Sequence, residues 1–107
     1  MAEISLLANI LAGGTAGMFH DTQAGRRFLA WKKAMPIPGR DPAIERWDCD
    51  WFVIRWAEYG QLTEYGWEID HIVPSILGGP DHHGNLRARH WRGNRSSGAS
   101  LGNALAG

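Results

Sequence analysis

Residues 66–95, GWEIDHIVPSILGGPDHHGNLRARHWRGNR, hold the densest set of side chains able to do chemistry in this chain of 107 residues. Asp70 and His71 sit side by side within an apolar run of Trp67, Ile69, Ile72 and Val73, and Asn85, His90 and Asn94 follow downstream. A carboxylate with an amide oxygen, and positions left to water or phosphate, suits a hard divalent cation such as magnesium. An imidazole of ordinary pKa, near ~6.5, takes a proton from water at neutral pH. A cation bound to a phosphate oxygen acts as a Lewis acid and helps the leaving oxygen depart. Asp70, His71 and Asn94 thus have the parts needed for phosphodiester hydrolysis.

Those groups must be brought together by the elements that carry them. Trp67 to Val73 reads as a strand, and neighbouring strand residues point to opposite faces. Asp70 and His71 converge only where that strand ends or bends, and Pro74 places the end nearby. Gly78-Gly79-Pro80 breaks the chain, and the loop through Asp81, His82, His83 and Gly84 is expected to be exposed. A second strand, 85-NLRARH-90, returns beside the first. Trp91, Asn94, Arg95 and Gly98 then fall at helical spacing, so a short helix carrying Asn94 packs on the hairpin and brings it towards Asp70.

Upstream, Ile4 to Leu11 reads as a short helix ended by Gly13-Gly14. A second helix is expected from an N-cap at Asp21 to about Ala34. Pro36 and Pro38 begin an extended linker. Asp41-Pro42 resembles a cap with proline at the first helical position, predicting one or two helical turns through Trp47. The run 51-WFVIRW-56 should be a strand. The six tryptophans are expected to build the core.

Composition narrows the function classes. The length fits one domain. No run of ~18 apolar residues is present, so no membrane partner is expected. Ile4–Gly14 lacks the preceding basic residues of a secretory signal. The single Cys49 excludes an internal disulfide and any Cys-pair zinc ribbon, and makes a cytoplasmic location the expectation. Cys49, between two aspartates, reads as a buried or inert thiol. Net charge is zero but unevenly spread: residues 1–40 carry five basic against two acidic side chains, residues 41–70 two against eight, and residues from His71 onward four against one. A neutral chain binds nucleic acid when its positive charge lies on one face, although an acidic middle is equally read as a solvated surface.

Glu68-Ile69-Asp70-His71-Ile72-Val73-Pro74, Gly78-Gly79, Asp81, Asn85-Leu86, His90-Trp91 and Asn94-Arg95 together resemble the signature of HNH endonucleases. The resemblance covers residues ~66–98 and implies an α+β fold with a ββα-metal core, an N-terminal helical extension (1–35) and an extra short strand, with the nuclease domain spanning 36–107. It implies that His71 is the general base, that Asp70 and Asn94 hold one divalent metal ion, and that Asn85 holds the loop and orients the base. Magnesium or manganese is the expected ion, with zinc and nickel also compatible. The implied activity is cleavage or nicking of DNA by a monomer or homodimer. Arg87, Arg89, Arg92 and Arg95 are the candidate phosphate contacts, against ordinary solubilising charge.

His90 shares a strand face with Leu86 and Ala88, so a packed, hydrogen-bonded histidine is expected there instead of a ligand. His82 and His83 are expected as loop residues. Many members of the family carry two Cys-x-x-Cys pairs for a structural zinc; here packing of Trp67, Leu86 and Trp91 has to serve. Gly93 stands where a bulkier residue is expected, loosening the helix by ~1 kcal/mol relative to alanine, and Ser97 stands where lysine is common. Those two positions motivate an alternative, a catalytically weak nucleic-acid-binding module on the same scaffold. A further possibility is an interaction module in which the N-terminal helix docks on a partner or a second copy.

Overall fold

The structure, a computed structural model, describes residues 19, 20 and 22–106. The expected helix at Ile4–Leu11, its docking role and the cap at Asp21 lie outside the described residues. Helix α1, Gln23–Lys32, is capped by Thr22, whose side chain accepts a hydrogen bond from the Gly25 backbone N–H at 3.0 Å. A Cβ on Gly25 would lie 1.7 Å from the Phe19 carbonyl oxygen, so only glycine allows that approach. At the other end Lys33 anchors the helix, donating to the carbonyls of His83 at 2.8 Å and Leu86 at 2.6 Å.

Three short strands follow, β1 (Met35–Pro36), β2 (Glu45–Trp47) and β3 (Val53–Arg55), paired antiparallel in that order. The helix expected from Asp41 to Trp47 is not formed beyond one turn. Asp41 does start a turn: its side chain accepts from Ala43 N–H, and its carbonyl accepts from Ile44 and Glu45 N–H. The chain is then drawn between β1 and β3, and Arg46 folds inward to donate to the carbonyls of Pro42 and Ala34. Those tertiary bonds outweigh the local helix signal. The strand expected over 51–56 is shorter, because Trp51 turns the chain with φ 67°. Asp48 holds that turn, accepting at Oδ1 from the Asp50 and Phe52 N–H groups.

A second sheet pairs β4 (Trp67–His71) with β5 (Leu86–His90), antiparallel, with Trp67 opposite His90, Asp70 opposite Arg87 and His71 opposite Leu86. Helix α2, Trp91–Ala106, follows β5 directly and packs on both strands. The elements among the described residues make a small α+β arrangement of two helices, α1 and α2, and two antiparallel sheets. Its core joins Trp31 of α1 and Ala34 just beyond that helix to Ile54, Trp67 and Ala88, with Trp56 and Ile69 packed against them. Three of the six tryptophans therefore build the core as expected. Trp51 does not: it is 64 % exposed and its ring meets Trp47 edge-on. No helix among the described residues is long and apolar enough to cross a membrane.

Candidate functional site

The β4–β5 sheet has two unlike faces. Leu86, Ala88 and His90 of β5 are buried on the core side. The intervening Arg87 and Arg89, with Glu68 and Asp70 of β4, form a polar face. Asp70, His71, Arg87, Arg89 and Asn94 line one cavity of about 300 Å³, walled also by Ser97 and Gly98. Asp70 and His71 reach it together because β4 ends at His71 and the chain bends at Ile72.

Asp70 is held by arginine. Its Oδ2 accepts from Arg87 Nε at 2.8 Å and lies 3.7 Å from Arg89 Nη1. Its Oδ1 accepts no hydrogen bond among the described residues. Asn94 Nδ2 donates to Glu68 Oε1 at 3.2 Å, and its Oδ1 is likewise without a donor. Arg95 grips the same Glu68, Nε to Oε1 at 3.2 Å and Nη2 to Oε2 at 3.0 Å. The Arg95 hydrogen bonds keep the Glu68 carboxyl below the usual carboxylate range; burial opposes this and Asn94 assists it.

His71 Nε2 lies 3.1 Å from Asp81 Oδ1. Asp81 also takes a hydrogen bond from Arg26 of α1, and that bond, followed by the one from His71, holds its carboxyl below the ordinary range. An ionised carboxylate only accepts, so His71 carries its proton on Nε2, and in the neutral ring the lone pair is on Nδ1. Asn85 makes no hydrogen bond to the ring among the described residues. Its Oδ1 accepts from Val73 N–H at 2.9 Å, and its Nδ2 donates to the carbonyls of Val73 and Pro80 at 3.0 and 2.9 Å. Asn85 thus fixes the 73–80 loop, while the hydrogen bond that aims the imidazole comes from Asp81.

His90 is 2 % exposed; its Nε2 meets the Glu64 carbonyl at 2.8 Å and its N–H donates to Asp48 Oδ2. It packs as expected and lies outside the cavity. His82 Nδ1 accepts from Gly84 N–H, closing its own loop. Of the four arginines, Arg87, Arg89 and Arg95 already pair with Asp70, Asp50 and Glu68. Arg92 has no acidic partner among the described residues and stacks over Trp91, 5.1 Å from the ring centroid.

Asp48, Cys49 and Asp50 bring their ligand atoms within 4.8 Å of one another. Asp48 spends both oxygens on backbone N–H groups and Asp50 is paired with Arg89, so the cluster is accounted for as turn architecture. Cys49 is exposed, not buried; desolvation, with Asp50 and Asp48, pushes its thiol up against the opposing Arg87 and Arg89, which disfavours the reactive thiolate.

The side chains that hold Asp70, His71, Asn94 and their neighbours carry no local sequence signal. Glu68 and Asp81 lie within residues 66–95 with no role apparent from spacing, and Arg26 and Asp50 lie outside that stretch. No protein-family model matches the chain, and no curated protein and no solved structure matches it.

Proposed function

We propose that the chain is a metal-dependent endonuclease of the HNH type, with a ββα-metal core formed by β4, β5 and α2, acting on DNA. The observation that carries the reading is the shared cavity of Asp70, His71 and Asn94. The donor set fits a hard cation: Asp70 Oδ1 and Asn94 Oδ1 accept no hydrogen bond among the described residues, and both residues line a cavity about 300 Å³ in volume. A water occupies ~30 Å³ in the liquid, so there is room for a hydrated ion and a phosphate oxygen.

Asp70 and Asn94 would hold the ion, magnesium or manganese by ligand type, which when bound neutralises charge on the phosphate. His71 Nδ1 takes the proton of the attacking water, while Asp81 keeps the other nitrogen protonated and the ring aimed. The new P–O bond forms as the bond to the leaving ester oxygen breaks, and that oxygen takes its proton from solvent. Asn85 keeps the 73–80 loop in place beside the base. Arg87 and Arg89, lining the same cavity, are placed to exchange a carboxylate for a phosphate. Plasmid nicking with magnesium or manganese tests the reading, and His71→Ala should lower the rate ~10²–10⁴-fold. Equal cleavage by the variant would falsify the assigned base.

One observation favours the second reading, a nucleic-acid-binding module with weak catalysis. Arg87 already neutralises Asp70 at 2.8 Å, and a cation has to displace or share with it. Tight, salt-sensitive DNA binding without metal-stimulated cleavage would select that reading.

A further inference from the structure

We infer that Glu68 is a positioning residue that sets which end of the Asn94 amide faces the cavity. This rests on the reading of Asn94 as a cation ligand given above. Strand alternation places Glu68 on the face of β4 that also carries Asp70, beneath the first turn of α2. There Oε1 of Glu68 lies 3.2 Å from Asn94 Nδ2, and Arg95 holds both carboxylate oxygens.

The argument is one of donors and acceptors. A carboxylate offers lone pairs and no proton, so only the NH2 end of the asparagine can face it. The amide is planar, and its carbonyl oxygen is then turned away from Glu68. Asn94 lines the cavity with Asp70, and that oxygen has no donor among the described residues. Rotated by half a turn, the same amide would present an NH2 group, which has no lone pair to give a cation. An asparagine ligand therefore needs something that distinguishes its two ends, and Glu68 does so. The two-pronged Arg95 contact keeps Glu68 from turning away. A helix-pinning role alone would predict that any group able to bond Asn94 serves equally well.

The test uses the full chain and two readouts. In the metal-free protein, side-chain NMR should show contacts between the Asn94 NH2 protons and the Glu68 γ-protons. Mn2+ affinity, followed by the EPR signal of free Mn2+, should fall ~10-fold or more in Glu68→Gln, whose amide can present either end to Asn94. Glu68→Ala should fall at least as far, with far-UV circular dichroism unchanged in both. In an Asn94→Ala background, Glu68→Gln should change Mn2+ affinity no further, because nothing is left to orient. Wild-type affinity in Glu68→Gln, alongside a loss in Asn94→Ala, would overturn the inference, as would absence of the NMR contacts. If Asp70→Ala and Asn94→Ala both bind Mn2+ as wild type does, or wild type binds none, the cation reading itself fails. The NMR contacts then still decide whether Glu68 orients the amide.

Discussion

Arg87 Nε donates to Asp70 Oδ2 at 2.8 Å from the directly opposite position of the neighbouring strand, within the cavity that also holds His71 and Asn94. The pair makes Asp70 both a candidate cation ligand and an arginine partner. Removing the guanidinium should free the carboxylate: Arg87→Met is expected to tighten Mn2+ binding roughly tenfold, the equivalent of one charge-assisted hydrogen bond of ~1.5 kcal/mol. Isothermal titration of Mn2+ checks this. Unchanged or weaker binding would place the ion away from Asp70.

Asp81 should govern the imidazole without contacting substrate. Asp81→Ala is expected to cut kcat ~10-fold while leaving KM for DNA near wild type, and to release the Nε2–H tautomer of His71. Nitrogen-15 NMR of the ring reports the tautomer directly. A ring that stays Nε2-protonated in the variant would assign its orientation to some other contact.

The same carboxyl gives a pH dependence with a defined sign. Arg26 first, then His71, depress the folded-state pKa of Asp81, so the contact's contribution to stability is complete above the unfolded value, near ~3.9. It is lost as pH falls through the lower, folded value. Titration of the Asp81 carboxyl by carbon-13 NMR should give a midpoint below ~3.9, and Arg26→Ala should move that midpoint upward. A midpoint unmoved by Arg26→Ala would show that the α1 contact is not maintained in solution.

What could be read from the sequence follows how far apart the interacting residues lie. The alternation of Leu86, Ala88 and His90 with Arg87 and Arg89 marked β5 and its two faces, because strand period is a local property. The Asp70–His71 pair within an apolar run marks the candidate site for the same reason. Strand β2 was hidden, because Asp41-Pro42 is a true turn signal and only the pairing with β1 and β3 overrides it. Arg26 and Asp81 stand 55 residues apart, and Asp48 and His90 stand 42 apart. No spacing rule links such partners; only the fold brings them into contact.

Asn85 should matter more to stability than its polarity implies. It is buried and makes three side-chain hydrogen bonds to the backbone of Val73 and Pro80. In Asn85→Asp a carboxylate oxygen replaces the NH2 group and faces two carbonyls. The expected loss is ~2–4 kcal/mol, a fall in Tm of roughly 10 °C or more. Thermal denaturation by circular dichroism checks it, and a loss below ~0.5 kcal/mol, the range of ordinary surface substitutions, would mean the loop is held by other contacts.

The glycines of α2 should respond oppositely to alanine. In an exposed helix, glycine to alanine ordinarily gains ~1 kcal/mol, and Gly98 has open space around an added Cβ, so Gly98→Ala should gain about that. At Gly93 the added Cβ would stand 2.7 Å from Asp50 Oδ2 and 3.3 Å from Arg89 Nε. The Arg89–Asp50 pair, 2.9 Å long, has to shift to admit it. Gly93→Ala should therefore forfeit the helix gain and disturb Arg89, which lines the cavity. On this account Gly93 leaves room for the pair that fills the space above it. Paired denaturation curves of the two variants decide it: equal gains of ~1 kcal/mol would show that Asp50 yields freely, and would remove any structural need for glycine before Asn94.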